Sequence, residues 1–412
     1  MFSLDVDYVL PKYDGESLLN VIGTIEKFWG MNPLVPPLSS KFSPHKLDGC
    51  SQLIFFLVDG MGMNLLKPDT NGSFFSFLLS SSKLNTITSV FPSSTVSALS
   101  SIHTGLSPRT HGLLDWYLYF DEINKVIKPF TGETVRADSN ITNVSIMKGN
   151  VLFKGTSIYQ RLKKIKVESL VFYPQEYINS YYSHNLMKGS KKIAYKNLND
   201  LMNLLVPIVN ENRKNRYFFV YISSLDKLEH KYGPKSVKVK NNLRKIESFF
   251  IKFSTSVYTS IAKKSGIIIT ADHGLIKTSP KKILLFAEED LRNKLQMTNA
   301  DNIIFPSGNQ RDLFLSIKKG ELAVFQKNIN KKLTAIKLTD TVLDILLGNF
   351  PNHPTLHYRT GNLLLLPKGD GLVWYKYLDK RKFTSLGKHG GLSKDEMLIP
   401  LILDRLSNLV YH

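Results

Sequence analysis

Three apolar runs in this sequence each end in residues that bind metals or move protons. LIFFLV (Leu53 to Val58) runs into Asp59, YFFVYIS (Tyr217 to Ser223) is followed by Asp226 and His230, and GIIITA (Gly266 to Ala271) by Asp272 and His273. A further histidine, His389, lies in GKHGGLS. Carboxylates and neutral imidazoles together suit Zn²⁺ or a similar divalent ion, and three Asp with three His exceed the four ligands of one tetrahedral zinc, so two metals are implied. Taken singly, each residue has a simpler explanation. An Asp after a strand commonly caps the next helix, and Asp226 with His230 at i, i+4 could be a surface pair on one helical face. Their joint occurrence at three strand ends is what argues for a metal centre.

Two metals roughly 4 Å apart commonly clamp the attacking and leaving oxygens of a phosphoryl transfer. A nucleophile is then required, and FPSSTVSALSSIHTGLSPRTHG (Phe91 to Gly112) offers Ser93, Ser94 and Thr95 ahead of a helix of small residues. A hydroxyl at a helix N-terminus can be activated by a metal, while the free backbone N–H groups there hold phosphate oxygens. From local sequence alone, Ser94 or Thr95 equally well only caps that helix.

The elements that must position these residues follow from hydrophobic periodicity. The three apolar runs lack alternation and read as strands covered on both faces, as in a parallel sheet. Between the last two, Val239, Leu243, Ile246, Phe250, Phe253, Val257 and Ile261 recur every three or four residues and predict one long amphipathic helix. TSIYQRLKKIKVESLVFYP repeats the order, with a helix near 157–165 and a strand near 168–173, and residues 16–29 predict another helix stopped by Gly30. The alternation argues for a doubly wound α/β sheet, in which ligands bind beyond the carboxyl ends of the strands. A second set of elements, including DLFLSIKKG, a helix near 339–348 and NLLLLP, predicts an inserted α+β subdomain over 281–380, with 1–280 and 381–412 forming the catalytic core.

The chain has 412 residues, 42% apolar and 21% charged, which fits an ordinary globular protein and excludes disorder as its main state. Fifty-four Lys and Arg against 34 Asp and Glu leave +20, which favours an anionic partner. Residues 154–198 hold nine bases and two acids, and 227–245 hold seven bases and one acid. Both windows predict lysines on the rim of the cleft, among them Lys188, Lys191 and Lys192 of the first; the alternative is a coding bias toward Lys, Asn and Ile. Cys50 is the single cysteine, so no intrachain disulfide forms and a cytoplasmic setting is expected. No signal peptide or membrane-spanning run is visible, the apolar run LIFFLV being far short of about 20 residues.

DGMG at 59–62, PSSTVSALSSIHTGLSPRTHG at 92–112, LDKLEHKYGP at 225–234, ADHG at 271–274 and KHGG at 388–391 resemble, in order and spacing, the nucleotide pyrophosphatase/phosphodiesterase branch of the alkaline phosphatase superfamily. The resemblance spans most of the chain and implies an alkaline-phosphatase-like fold: a doubly wound, mostly parallel sheet flanked by helices. It makes Thr95 the nucleophile, and it implies one metal held by Asp59, Thr95, Asp272 and His273 and another held by Asp226, His230 and His389. It also implies two zinc ions (Mn²⁺ as an alternative), a phospho-threonine intermediate hydrolysed by water, and retention at phosphorus.

The sequence departs from that family in two places: the phosphate-binding Asn is missing, and no single residue marks the aromatic slot for a nucleotide base. Diesterase members usually carry an Asn about twenty residues beyond the nucleophile that binds a phosphate oxygen, whereas LLDWYLYF stands here, with Asp115 and Trp116. These two become candidate substrate contacts, together with Arg311 in PSGNQRD, for which an exposed loop arginine is the simpler reading. Trp116, Tyr117, Tyr119 and Tyr181 are candidates for an aromatic base slot, and His103 and His111 are read as structural hydrogen-bonders. The expected substrate is a small anionic phosphate ester or nucleotide. Alternatives are a phosphomonoesterase of the same superfamily, or a nucleic-acid-binding protein on this scaffold, favoured by the +20 charge.

Overall fold

The run beginning at Gln52 has no polar side chain from Leu53 to Val58 and forms β1 (Gln52–Val58), buried along its whole length. This is a computed structural model, and it describes residues 8–66, 73–135, 152–377 and 383–409. Beside β1 lie β2 (Leu84–Thr88), β3 (Glu168–Pro174), β4 (Lys191–Tyr195), β5 (Arg216–Ile222), β6 (Ser265–Thr270) and β7 (Leu398–Arg405). They make a seven-stranded sheet in the order β2-β7-β6-β1-β5-β3-β4. β6, β1, β5, β3 and β4 pair in parallel, and only β7 runs against its neighbours β6 and β2. The fold is thus the mostly parallel, helix-flanked α/β sheet expected from the sequence.

Both faces of the sheet are covered, which is why β1 and β5 read as continuous apolar runs. On one face Phe56 packs edge-on against Phe249, Phe250 and Phe253 of α5 (Val237–Ser256). On the other, Phe55 meets Phe219, which in turn meets His103 of α2 (Thr95–Thr104). α1 (Leu18–Phe28) packs on α2, and α3 (Leu198–Asn210) and α4 (Ser224–Tyr232) pack on α5. The long helix predicted through Ile261 stops sooner, at Ser256, and Thr259–Ala262 forms a separate short turn. The hydroxyls of Ser254 and Thr255 bond back to the carbonyl of Ile251 and compete with the helix ladder, and Asn210 Oδ1 accepts the Tyr258 N–H at 2.9 Å.

A smaller antiparallel sheet is made by Ser307–Gly308, Leu313–Leu315, Leu363–Pro367 and Leu333–Lys337. Its strands alternate as a sheet buried on both faces must: Phe314, Leu364, Leu366 and Ile336 join the main core, whereas Leu313, Leu315, Leu363 and Leu365 join a second core with Trp374 and Tyr375. That second core also takes Tyr117, Tyr119 and Val126 from the segment that follows α2. The expected boundary at 380/381 lies outside the described residues. Among the described residues no helix is long and apolar enough to cross a membrane.

Candidate active site

The carboxyl ends of β1, β5 and β6 meet at one edge of the sheet. Register puts Val58 opposite Ile222 and Leu57 opposite Thr270, so Asp59, the start of α4 and Asp272 emerge side by side. The Asp59 N–H still donates to Ile222 O at 2.9 Å, which fixes where its side chain leaves the strand. On α4, Asp226 and His230 are one turn apart and share a face. His389 arrives from the short strand Gly387–Lys388, which pairs with Ile276–Lys277 just beyond β6. β2 ends at the same edge, and the loop after it delivers Thr95 as the first residue of α2.

The proton positions on the three histidines follow from their partners. Nδ1 of His230 faces Gly387 O at 2.7 Å, Nδ1 of His389 faces Ser93 O at 3.0 Å, and Nδ1 of His273 faces Gly274 O at 3.3 Å. A carbonyl only accepts, so each Nδ1 carries the proton and each Nε2 presents a lone pair. Burial keeps the rings neutral, holding His273 down to about 3 and His389 well below its ordinary value, with His230 lowered in the same direction.

Those lone pairs point at carboxylate oxygens. His273 Nε2 lies 3.3 Å from Asp272 Oδ2 and 3.6 Å from Asp59 Oδ1; His230 Nε2 is 3.3 Å and His389 Nε2 3.9 Å from Asp226 Oδ1. With neutral rings these are acceptors facing acceptors, not ion pairs. Asp59 Oδ1, Asp226 Oδ1 and Asp272 Oδ2 are buried and have no hydrogen-bond partner among the described residues. Burial, and for Asp59 the neighbouring Asp272 carboxylate, pushes the Asp59 and Asp272 carboxyls up. Buried acceptors converging without donors are stabilised by a cation, so the residues fit divalent metal. Two groups of ligand atoms lie close enough to share an ion, Asp59, Asp272 and His273, and Asp226, His273 and His389, so His273 stands between them.

Of the three hydroxyls the sequence left open, the geometry singles out one. Ser93 Oγ donates to Gly391 O at 2.7 Å, and Ser94 Oγ donates to Leu114 O at 3.1 Å while capping α2. Thr95 Oγ instead lies 3.0 Å from His273 Nε2 and lines a cleft of about 470 Å³. His103 and His111 are buried away from it, on Tyr159 and Ser101.

The candidate substrate contacts separate. Trp116 is 36% exposed at the cleft and stacks on Phe130, whose other face stacks on Tyr182. Asp115 is buried in the cleft wall and accepts from Asn309 Nδ2 at 2.7 Å. Arg311 is a correction. It is neither an exposed loop arginine nor a cleft residue: it is buried, forks onto Glu396 at 2.9 and 3.0 Å, and spends its remaining N–H groups on the carbonyls of Pro367, Gly369 and Gly371. Of the four candidate aromatics, Trp116 and Tyr117 line the cleft.

The two basic windows part: the second brings Lys227 to the cleft, and none of the bases of the first lines it. Lys191 and Lys192 open β4, the outer strand of the sheet, toward the end of the sheet opposite the cleft, and neither they nor Lys188 line it. Lysines on an edge strand discourage pairing with another chain. The lysines that do line the cleft are Lys227, ion-paired with Glu176, and Lys388. Three further residues escaped the sequence reading. Tyr221 donates its hydroxyl to Asp59 Oδ2, Asn309 lines the cleft, and Glu229 is fully buried behind Gly60. A polar residue inside an apolar strand was the available signal for Tyr221; Asn309 and Glu229 gave none.

A family model described as type I phosphodiesterase/nucleotide pyrophosphatase matches residues 53–392. Among solved structures, the chain resembles mouse ectonucleotide pyrophosphatase/phosphodiesterase 5, an inactive variant with threonine replaced by alanine in complex with AMP (14% identity, 87% of this chain and 88% of that one, TM-score 0.59). The human protein of the same name gives 15%, 85%, 87% and 0.58. Phosphonoacetate hydrolase from Sinorhizobium meliloti 1021, in complex with phosphonoformate, gives 14%, 87%, 91% and 0.60. These likenesses show the fold. Among curated proteins, the RecB subunit of the RecBCD enzyme from Borreliella burgdorferi is 23% identical over 223 residues, 54% of this chain; the chain spans only 18% of that protein's length, and the match carries no functional argument.

Proposed function

Because the chain belongs to the type I phosphodiesterase/nucleotide pyrophosphatase family, whose members are metal-dependent phosphoester hydrolases, we propose that it hydrolyses phosphodiester or nucleotide pyrophosphate bonds through Thr95. The observation that carries this reading is the 3.0 Å approach of Thr95 Oγ to His273 Nε2, among buried carboxylate oxygens that lack donors. Asp59, Thr95, Asp272 and His273 would hold one divalent ion, and Asp226, His230 and His389 the other, most simply as Zn²⁺ with Mn²⁺ as a substitute. When bound, the ions lower the pKa of the threonine hydroxyl and neutralise charge on the phosphoryl oxygens.

The chain's own residues do the rest. Thr95 Oγ forms a bond to phosphorus as the bond to the leaving alkoxide or phosphate breaks, the hydroxyl proton going to the leaving group by way of solvent, giving a phospho-threonine. Water then attacks phosphorus from the vacated side, the P–Oγ bond breaks, and the hydroxyl is restored; two displacements retain configuration. The backbone N–H groups at the start of α2 are positioned for phosphoryl oxygens. Tyr221, by donating to Asp59 Oδ2, leaves Oδ1 for the metal side.

Within this reading we take residues 1–280 with 381–412 as the catalytic unit and 281–380 as an insert that contributes Asn309 and Gln310 to the cleft wall. A second reading, phosphomonoester hydrolysis, draws on Lys227 and Lys388, two cations that suit a dianionic group. Rates on a nitrophenyl phosphodiester and the matching monoester, with metal-loaded wild type and Thr95→Ala, test both. Turnover of neither ester, or turnover by Thr95→Ala at the parent rate, would overturn the proposal.

A further inference from the structure

The cleft wall contains a clamped carboxamide. Asn309 Nδ2 donates to Asp115 Oδ2 at 2.7 Å, and Asn309 Oδ1 accepts the backbone N–H of Arg311 at 2.7 Å. An acceptor at one end and a donor at the other fix which atom is nitrogen. An amide nitrogen carries two hydrogens, and Asp115 takes one. The side chain shares the cleft with Ser94 and Thr95, so the second is left for what binds there.

Three features hold this amide still. Asp115 is itself anchored by the Trp116 N–H at 2.5 Å. Behind it lies Asp312, fully buried, with neither carboxylate oxygen partnered by a donor among the described residues. Two touching buried acids do not both ionise; one proton between them makes Asp312 a donor to Asp115, in keeping with the upward push that burial and Asp115 give the Asp312 carboxyl. On the other side is Gly390 at φ +127°, where a Cβ would fall 2.7 Å from Asn309 Nδ2 and 2.8 Å from Asp312 Oδ1. The glycine after His389 thus lets the histidine segment close onto the amide.

We propose that Asn309 donates this N–H to a non-bridging oxygen of the phosphoryl group at Thr95, with Asp115 and Asp312 as its positioning residues. A phosphoryl transition state spreads charge over its equatorial oxygens, and a fixed neutral donor aimed at those oxygens is worth most there. An amide adds no positive charge, which suits the single charge of a phosphodiester. The inference rests on the reading of Thr95 as nucleophile.

The test measures kcat, KM and metal content for metal-loaded wild type, Thr95→Ala, Asn309→Ala and Asn309→Ser on a nitrophenyl phosphodiester, together with inhibition by orthovanadate. Both Asn309 variants are expected to lose on the order of 10²-fold in kcat/KM and to bind vanadate correspondingly more weakly, at unchanged metal content. Asp312→Asn, which can still donate to Asp115, should stay within a few-fold of wild type, and Asp312→Leu should fall toward the Asn309 variants. Asn309 variants with wild-type kcat/KM and vanadate affinity would overturn the inference while leaving Thr95 standing; parent-like turnover by Thr95→Ala would instead overturn the reading beneath it. Asn309→Ser keeps a polar group in place and supplies the measurement should Asn309→Ala not fold.

Discussion

Thr95 Oγ and His273 Nε2 lie 3.0 Å apart although 178 residues separate them in sequence. Because His273 carries its proton on Nδ1, the threonine hydroxyl is the donor in this contact, and the same Nε2 lies 3.3 Å from Asp272 Oδ2 and 3.6 Å from Asp59 Oδ1. Thr95→Ala is therefore expected to lose at least about 10³-fold in turnover, with Thr95→Ser retaining part of it. Ser94→Ala should keep the chemistry and lose about 1 kcal/mol of stability as the cap of α2. Steady-state kinetics and urea titrations of the three variants separate these roles; activity lost in Ser94→Ala but kept in Thr95→Ala would reverse the assignment.

Metal removal should reach folding as well as activity. Without cations the unpartnered oxygens of Asp59, Asp226 and Asp272 stay buried together, so a chelator is expected to abolish hydrolysis and to lower Tm, and Zn²⁺ or Mn²⁺ to restore both. Elemental analysis should find about two ions per chain. One ion or none at full activity contradicts the two-metal reading.

Arg311 should matter for stability and not for substrate. Its replacement by Met leaves Glu396 buried without its countercharge, a loss of about 3 to 5 kcal/mol. In whatever fraction folds, KM is expected to match the parent. A raised KM with unchanged Tm would return Arg311 to the substrate.

Two histidines away from the site make stability depend on pH. Burial holds both His103 and His111 down to about 3, below the ordinary value of 6.5, so between those values the unfolded chain binds protons that the folded chain does not. Their contribution is present above pH 6.5 and is lost as pH falls toward 3, at up to roughly 1.4 kcal/mol per pH unit for each. Urea titrations at pH 7, 6 and 5 should show this decline, and His103→Asn should make it shallower. An identical slope in the variant counts against His103 as a source.

The salt dependence of capture should follow the lysines in the cleft. Changing Lys188, Lys191 and Lys192 to Gln on the far edge of the sheet is expected to leave the ionic-strength dependence of kcat/KM unaltered, whereas Lys227→Gln with Lys388→Gln flattens it. A flattened slope in the triple variant would mean that charge outside the cleft steers the substrate.

The sequence by itself determined the central strands of the sheet and the Asp and His residues that follow them. Unbroken apolar runs of this length suit strands covered on both faces, and Asp59, Asp272 and His273 follow such runs directly, so their convergence comes with parallel pairing. β2 and β4 escaped that reading because edge strands with mixed polarity lack the continuous apolar signal, and β7 because Pro400 interrupts its apolar run; Lys191 and Lys192 on β4 looked like a patch and are an edge. What only the tertiary structure decided was the direction of side chains whose partners are remote. Ser93, Ser94 and Thr95 are equivalent in sequence, and the carbonyls of Gly391 and Leu114 engage the hydroxyls of the first two. Arg311 and Asn309 stand two positions apart in one loop, yet Glu396 draws the arginine into the interior and Asp115 holds the amide at the cleft. No local pattern encodes such choices, because each is made by an acceptor that the chain supplies from tens to hundreds of residues away.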